Sequence, residues 1–163
     1  MSELVFLSLG SNLGNRIRNI ANAVRVISEL PNISNFSSAP NYESEPLYNP
    51  DQPSFLNTVI GFNSAGNPDD FFKTITRLET AADRPRQREK NSPRKLDIDI
   101  LVWGNRISES AQLTIPHQDL QNRRFVLVPW NDIASDFLVP KINMKVRDLL
   151  SACVDSSQVI KQN

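Results

Sequence analysis

The sequence predicts a single domain that contains both β-strands and α-helices, and two periodicities carry that prediction. Over residues 96–103 aliphatic side chains occupy every second position, which is typical of a strand. Over residues 16–30 apolar residues recur at helical spacing, and Pro31 ends the stripe. At 163 residues the chain can bury one substantial core. We therefore expect one domain over residues 1–155 and a frayed C-terminal tail over residues 156–163.

The other elements are predicted from the same periodicities and from turn-forming residues. A second helix is expected to begin after Asn67, an N-cap residue that is followed by Pro68 and two acids. It is expected to end near Ala82 and to bury Phe72 and Ile75 on its core face. The remaining predictions are extended segments at 4–9, 33–44, 55–62, 106–108 and 113–116, and a last helix at Val146–Ala152.

Composition narrows the classes of protein to which the chain could belong. Eighteen basic residues balance eighteen acidic residues, so no net charge draws the protein to nucleic acid or to a membrane. No apolar stretch approaches the ~20 residues of a membrane span, and the N-terminus lacks a secretion signal. Cys153 is the single cysteine, which excludes an internal disulfide and a cysteine-based metal cage. These features predict a cytoplasmic protein.

A basic run, residues 84–95, leads directly into the predicted strand 96–103. The run has six basic residues and one acidic residue, and its two prolines favour a loop. On the strand, Asp97 and Asp99 point to the same face, with Cα atoms about 6–7 Å apart. Two carboxylates beside arginines suit a Mg²⁺–nucleotide site, because Mg²⁺ prefers carboxylate and phosphate oxygens and arginine binds phosphate bidentately.

Each of these features also has a plainer interpretation. An isolated Asp-x-Asp pair is more often a solvent-facing strand edge, and a basic run can be a solvated loop or a nucleic-acid patch. His117, the single histidine, is either a hydrogen-bonded structural residue or a phosphate donor. Asn57 is either a satisfied core amide or a group that reads a heterocycle. Phe55 and Phe125 are core residues unless the substrate is aromatic.

Four segments together resemble one family. They are Gly-Ser-Asn-Leu-Gly at 10–14, Gln-Pro-Ser-Phe-Leu-Asn at 52–57, Arg-Lys-Leu-Asp-Ile-Asp-Ile-Leu at 94–101 and Pro-His-Gln-Asp-Leu-Gln-Asn-Arg-Arg-Phe-Val-Leu at 116–127. In this order and spacing the chain resembles the 6-hydroxymethyl-7,8-dihydropterin pyrophosphokinases of folate biosynthesis. The resemblance implies an α+β, ferredoxin-like sandwich with a central, mainly antiparallel sheet flanked by helices. It also implies transfer of pyrophosphate from ATP to the pterin hydroxymethyl group, which yields AMP.

The resemblance further implies a role for each matching residue. Asp97 and Asp99 would hold two Mg²⁺ ions, and Arg84 and Arg94 would act with them in catalysis. The other residues expected to bind ATP are Glu79, Arg86, Ile100, His117 and Arg123. The residues expected to bind the pterin are Ser44, Leu47, Phe55, Asn57 and Phe125. The implied partners are these two small molecules. No nucleic acid or membrane is expected, and the sequence leaves protein partners open.

Four positions depart from the family pattern. Asn91 and Ser92 stand where relatives usually have a tryptophan and a small residue, Gln118 replaces a common aromatic residue, and Glu45 replaces a proline. Because the tryptophan would cover the pterin, its absence motivates an alternative. In that alternative the chain is a non-catalytic or weakly active relative that binds nucleotide or pterin as a sensor or partner module.

Overall fold

The computed structural model describes residues 1–47, 49–83 and 93–163. Within these ranges the predicted elements occur in the predicted order. The chain also forms a helix over Arg124–Ala134 and three short strands, Leu138–Val139, Met144–Lys145 and Val159–Lys161, which the sequence did not predict. In chain order the strands and helices are β1 (Glu3–Ser11), α1 (Arg16–Ser28), β2 (Ile33–Ser38), β3 (Tyr42–Ser44), β4 (Phe55–Ser64), α2 (Pro68–Asp83), β5 (Asp97–Trp103), β6 (Ser108–Glu109), β7 (Thr114–Ile115), α3 (Arg124–Ala134), β8 (Leu138–Val139), β9 (Met144–Lys145), α4 (Val146–Ala152) and β10 (Val159–Lys161). One turn of 3-10 helix, Leu120–Asn122, precedes α3.

The central sheet is built around β1. Its strand order is β10-β3-β4-β1-β5, with β2 also pairing with β4, and every pairing in it is antiparallel. Two short antiparallel pairs, β6 with β7 and β8 with β9, lie outside this sheet. The predicted α+β class, with a mainly antiparallel sheet flanked by helices, is confirmed.

The alternation of side chains along the strands produces two hydrophobic cores. Val5, Leu7 and Leu9 of β1 pack on one face of the sheet with buried residues of α1 and α2. Phe6 packs with α3 and α4 on the other face, where its ring centroid lies 5.5 Å from that of Trp130. The helices therefore cover both faces of the sheet. The ends of β1, β4 and β5 line a cleft.

The helices agree with the sequence in position but differ in detail. The predicted last helix is confirmed at Val146–Ala152, whereas α1 ends at Ser28 rather than near residue 30, and Ile17 on its predicted apolar stripe is 66% exposed. The prediction that α2 buries Phe72 is wrong, because the helix turns Phe71 into the core and leaves Phe72 half-buried. No helix in the described ranges is long and apolar enough to cross a membrane.

Two predictions about extended segments are also corrected. The segment 33–44 is two strands, β2 and β3, that separately pair with β4. The prediction of a frayed tail is wrong for Val159–Lys161, because these residues form β10 and pair with β3. The free edge of β3 offers unpaired backbone groups, and the end of the chain satisfies them.

Candidate active site

Ten of the predicted site residues line one cleft at the ends of β1, β4 and β5. The cleft has a cavity volume of about 210 Å³. Its lining residues are Ser8, Leu9, Gly10, Ser44, Glu45, Leu47, Gln52, Phe55, Asn57, Arg94, Asp97, Asp99, His117, Arg123 and Phe125. The structure therefore brings together the acids, the cations and the aromatic residues that the sequence places far apart.

Gly10 lies in the floor of this cleft. In the register of the sheet it is the partner of Asp97 on β5 and of Asn57 on β4. A Cβ atom at this position would lie 3.2 Å from Asn57 Oδ1 and 3.6 Å from the ring of Phe55. A side chain here would crowd the cleft, so glycine keeps the floor open between the acids and the amide.

Three carboxylates meet at one end of the cleft. Asp97 Oδ1 accepts a hydrogen bond of 3.0 Å from Arg94 Nη1, and Asp99 Oδ2 accepts one of 3.4 Å from Arg123 Nη1. Glu79, on α2, accepts the backbone N–H of Ile98 at 3.1 Å, and the neighbouring charges of Asp97 and Asp99 act on its carboxyl group. Glu79 thus supports the aspartates from behind rather than lining the cleft.

Burial makes this acidic cluster costly to ionise. Burial and the neighbouring Asp97 charge raise the pKa of Glu79 to about 8. Burial and Asp97 also raise the pKa of Asp99 to about 6, even though Arg123 and Arg94 act in the opposite direction. The two arginines do not compensate the cluster fully, so it would gain from additional positive charge.

His117 is a neutral hydrogen-bond donor at the edge of the acidic cluster. Burial, and then the charge of Arg123, lowers its pKa to about 4. Its Nδ1 accepts the backbone N–H of Asp119 at 3.2 Å, which assigns the ring proton to Nε2. Nε2 lies 3.9 Å from Asp99 Oδ2, too far for a hydrogen bond. This N–H is therefore placed to donate to a ligand in the cleft.

The other end of the cleft holds a fixed amide. Asn57 is 4% exposed, and its Nδ2 donates a hydrogen bond of 2.6 Å to Ser44 Oγ. This bond sets the orientation of the amide, so Oδ1 points towards Gly10 and the cleft floor. Phe55 and Phe125 are half-buried beside it, and the guanidinium carbon of Arg123 lies 5.8 Å from the Phe125 ring centroid.

Asn12 is a functional residue that the sequence alone did not single out. It is 2% exposed, and its Oδ1 accepts the Arg94 backbone N–H at 2.7 Å while its own N–H donates to Arg94 O at 3.0 Å. Its Nδ2 donates to Gln52 Oε1 at 2.9 Å and to Pro53 O at 3.1 Å. One buried amide thus holds the segments on both sides of the cleft. Its position within the segment 10–14 was the one available signal.

The other predicted residues lie apart from the cleft or outside the described ranges. Ile100 is 4% exposed and lines a second cavity of about 240 Å³, which shares Asp99 and His117 with the cleft. The other residues of this cavity include Phe72, Ile75, Ile98, Leu113 and Thr114. Arg84, Arg86, Asn91 and Ser92 lie outside the described residues.

Comparison with known proteins identifies the family. A family model described as 7,8-dihydro-6-hydroxymethylpterin-pyrophosphokinase (HPPK) matches residues 6–135. The chain belongs to this family. The resemblance drawn from the four sequence segments is confirmed.

Curated relatives agree with the HPPK assignment. The 2-amino-4-hydroxy-6-hydroxymethyldihydropteridine pyrophosphokinase of Haemophilus influenzae is 34% identical over 154 residues, which cover 94% of this chain and 95% of that protein. The protein of the same name from Pseudomonas aeruginosa is 34% identical over 153 residues, covering 94% of this chain and 93% of that one. The folic acid synthesis protein fol1 of Pneumocystis carinii is 35% identical over 154 residues, but the match covers 20% of its length.

Solved structures agree with the fold. A Plasmodium falciparum HPPK-DHPS bound to pterin and p-hydrobenzoate superposes with a TM-score of 0.69 at 14% sequence identity. The match covers 93% of this chain and 44% of the Plasmodium chain. At this identity the similarity speaks for the fold alone, and this HPPK chain spans less than half of that protein.

Proposed function

We propose that the cleft transfers pyrophosphate from MgATP to the hydroxymethyl group of 6-hydroxymethyl-7,8-dihydropterin. AMP and the pterin diphosphate would be the products, and the reaction belongs to folate biosynthesis in the cytoplasm. HPPK family membership supports the reaction class. The observation that carries the assignment to this cleft is the meeting of Asp97 and Asp99 with Arg94 and Arg123, beside a buried, oriented Asn57.

Asp97 and Asp99 are the residues we propose for two Mg²⁺ ions. Their carboxylate oxygens are the hard ligands that Mg²⁺ prefers. Burial and the neighbouring Asp97 charge raise the pKa of Asp99, and a bound cation would favour its ionised form. Mg²⁺ is usually held by one or two carboxylates together with phosphate oxygens and water, so the phosphates of ATP and water would complete the coordination. When bound, the ions would supply charge neutralisation on the phosphates and activation of the substrate hydroxyl.

Arginine and histidine donors would hold the triphosphate. Arg94 and Arg123 present guanidinium groups to the cleft, and His117 Nε2–H adds a neutral donor. Ile100 would border the nucleotide from the side of the second cavity. We propose Glu79 as a residue near the nucleotide, on the basis of its position in the family pattern. We also propose Arg84 and Arg86 as phosphate ligands, on the basis of their positions in the family motif.

The pterin would occupy the end of the cleft that contains Asn57. Ser44 holds the Asn57 amide in one orientation, so Oδ1 can accept from an N–H of the heterocycle. Phe55 and Phe125 offer apolar faces for the ring, and Leu47 completes this end. The hydroxymethyl oxygen would then attack the β-phosphorus while the bond from the β-phosphorus to the α,β-bridging oxygen breaks, and AMP leaves.

The proposal is tested by incubating the protein with MgATP and the hydroxymethyl dihydropterin and measuring AMP. AMP is expected only when the pterin is present, and Asp99→Asn is expected to abolish it. Formation of ADP instead of AMP would contradict pyrophosphate transfer. Tight pterin binding without AMP would favour the alternative of a non-catalytic ligand-binding protein.

A further inference from the structure

The N-terminus of α3 carries two residues of the cleft but lacks a local cap. Arg123 occupies the N-cap position, makes no side-chain capping hydrogen bond, and lies beside Phe125 in the first turn. Its carbonyl accepts the backbone N–H groups of Val126 and Leu127 at 3.0 and 3.1 Å. The N–H of Arg124, the first helical residue, has no acceptor within the helix, as is general for the first turn.

Asp155 supplies the missing acceptor from the C-terminal segment. Its Oδ2 accepts the Arg124 N–H at 3.2 Å, across 31 residues of sequence, and its Oδ1 accepts the Ser157 N–H at 2.9 Å. Although partial burial acts to raise it, the hydrogen bonds from Ser157 and Arg124 hold the pKa of Asp155 below its usual value. The ionised carboxylate also lies where the dipole of the 11-residue helix favours a negative charge.

The segment that carries Asp155 is anchored on both sides. Before it, α4 packs against α3 in the second core. After it, β10 pairs with β3, and Val159 is the register partner of Ser44. Ser44 in turn holds the amide of Asn57. The segment 155–161 therefore contacts both β3, which carries Ser44, and the first turn of α3, which carries Phe125.

A second contact joins the same two walls. The hydroxyl of Tyr42, on β3, donates a hydrogen bond to Asp132 Oδ2 on α3. Tyr42 is 7% exposed and belongs to the strand that carries Ser44. The position of α3 relative to β3 is therefore set by Asp155 at the start of the helix and by Asp132 near its end.

We propose that Asp155 is a positioning residue for the pterin, acting through the first turn of α3, which presents Arg123 and Phe125 to the cleft. This inference rests on the proposed function of the cleft. Without the carboxylate, the first turn frays in the free protein and substrate binding must order it. The apparent Kd for the pterin then equals the intrinsic Kd divided by the fraction of free molecules in which the turn is formed, so it rises as that fraction falls.

The test compares Asp155→Ala with Asp155→Asn and with Ser156→Ala. Asp155→Asn keeps one acceptor oxygen, so it can satisfy only one of the Arg124 and Ser157 N–H groups and is a partial loss of the contact. Ser156 is an exposed neighbour, and Ser156→Ala serves as the matched control. Calorimetry measures the Kd for the pterin in the presence of Mg²⁺ and a non-hydrolysable ATP analogue. Hydrogen exchange measures the Arg124 amide without any ligand.

We expect Asp155→Ala to raise the pterin Kd about tenfold, which corresponds to the loss of one cap, with unchanged binding stoichiometry. Asp155→Asn should raise the Kd less than Asp155→Ala does, and Ser156→Ala should stay within about threefold of wild type. The Arg124 amide should exchange about tenfold faster in Asp155→Ala than in wild type. A loss of folded protein would lower the stoichiometry and leave Kd unchanged, so that result would overturn the inference.

Two further outcomes separate this inference from the proposed function. A wild-type protein that binds no pterin overturns both, whereas normal wild-type binding with an unchanged Kd in Asp155→Ala overturns the positioning role alone. If Asp155→Ala does not fold, hydrogen exchange of the Arg124 amide in the wild-type protein still tests whether Asp155 caps α3. An Arg124 amide that exchanges at the rate of an unprotected group contradicts the cap, and a protected one supports it.

Discussion

The two ends of the cleft are built on opposite principles. One end, here called the acidic end, contains ionisable groups that burial and mutual repulsion hold away from their usual pKa values. The other end, the pterin end, contains neutral groups whose hydrogen bonds are already made. The acidic end comprises Glu79, Arg94, Asp97, Asp99, His117 and Arg123, and the pterin end comprises Ser44, Leu47, Phe55, Asn57 and Phe125.

This difference indicates how each end would select its ligand. The pterin end is preorganised, because Ser44 fixes the Asn57 amide before any substrate arrives. The acidic end carries a cost of ionisation, because burial and the neighbouring Asp97 charge raise the pKa values of Glu79 and Asp99. Such a site favours ligands that bring cations, as MgATP does.

The largest effect is expected at the acidic end. Asp97→Ala or Asp99→Ala should each lower kcat by several powers of ten, about a thousandfold or more, because each removes a proposed metal ligand. The measurement is the rate of AMP release at saturating MgATP and pterin. Asp136→Ala, which removes an exposed acid far from the cleft, should retain the wild-type rate. A near-normal rate in either site variant would contradict the proposed metal assignment.

A smaller effect is expected when the pterin end loses its amide. Asn57→Ala should raise the KM for the pterin about tenfold to a hundredfold, because the heterocycle loses a buried partner and Ser44 is left unsatisfied. The KM for ATP should change far less. Asn63→Ala, on the same strand but outside the cleft, is the matched control and should behave as wild type. An equal rise in the KM values for the pterin and for ATP would show that the two ends of the cleft do not bind their ligands independently.

Ser44→Ala tests preorganisation alone. The variant keeps Asn57 but removes the acceptor of its 2.6 Å hydrogen bond, so we expect the pterin KM to rise by about threefold to tenfold. Ser64→Ala is a matched control, because it removes another buried hydroxyl, which accepts the Gly66 N–H at the far end of β4. If both serine variants changed the pterin KM equally, the effect would be one of general stability.

The smallest effect concerns stability in metal-free buffer. Folding raises the pKa of Asp99 to about 6, so the folded protein binds the Asp99 proton more tightly than the unfolded chain does. The resulting contribution to the free energy of unfolding is fully present below about pH 4, the usual pKa of an aspartate, and is lost as pH rises through about 6. Asp99→Asn stays neutral and should therefore raise Tm by about 2–4 °C at pH 8, with no gain at pH 4. Asp136→Asn should show no such pH dependence. An equal rise in Tm at pH 4 and pH 8 would contradict the claim that ionising Asp99 costs stability.

Local patterns were sufficient for much of the fold and the site. The alternation around Asp97 and Asp99 depends on the two-residue period of a strand, and β5 indeed turns both carboxylates into one cleft. The last helix lies over Val146–Ala152, where the helical spacing of Val146, Leu149 and Leu150 predicts it. His117 and Arg123 joined the same site through the family resemblance rather than through any local period.

Features that depend on long-range contacts could not be obtained in this way. Two adjacent phenylalanines, Phe71 and Phe72, fit a helical stripe almost equally, and the rotation of α2 on the sheet decides which is buried. The strand β10 is short and exists because the edge of β3 is available to it. The bridging role of Asn12 likewise depends on Arg94 and Gln52, which approach it only in the folded chain.

The most direct test of the central claim is a crystal structure with Mg²⁺, a non-hydrolysable ATP analogue and the pterin. We predict two Mg²⁺ ions at about 2.0–2.1 Å from carboxylate oxygens of Asp97 and Asp99, and a pterin hydrogen-bonded to Asn57 between Phe55 and Phe125. Metal ions bound away from both aspartates, or a pterin bound outside this end of the cleft, would contradict the account.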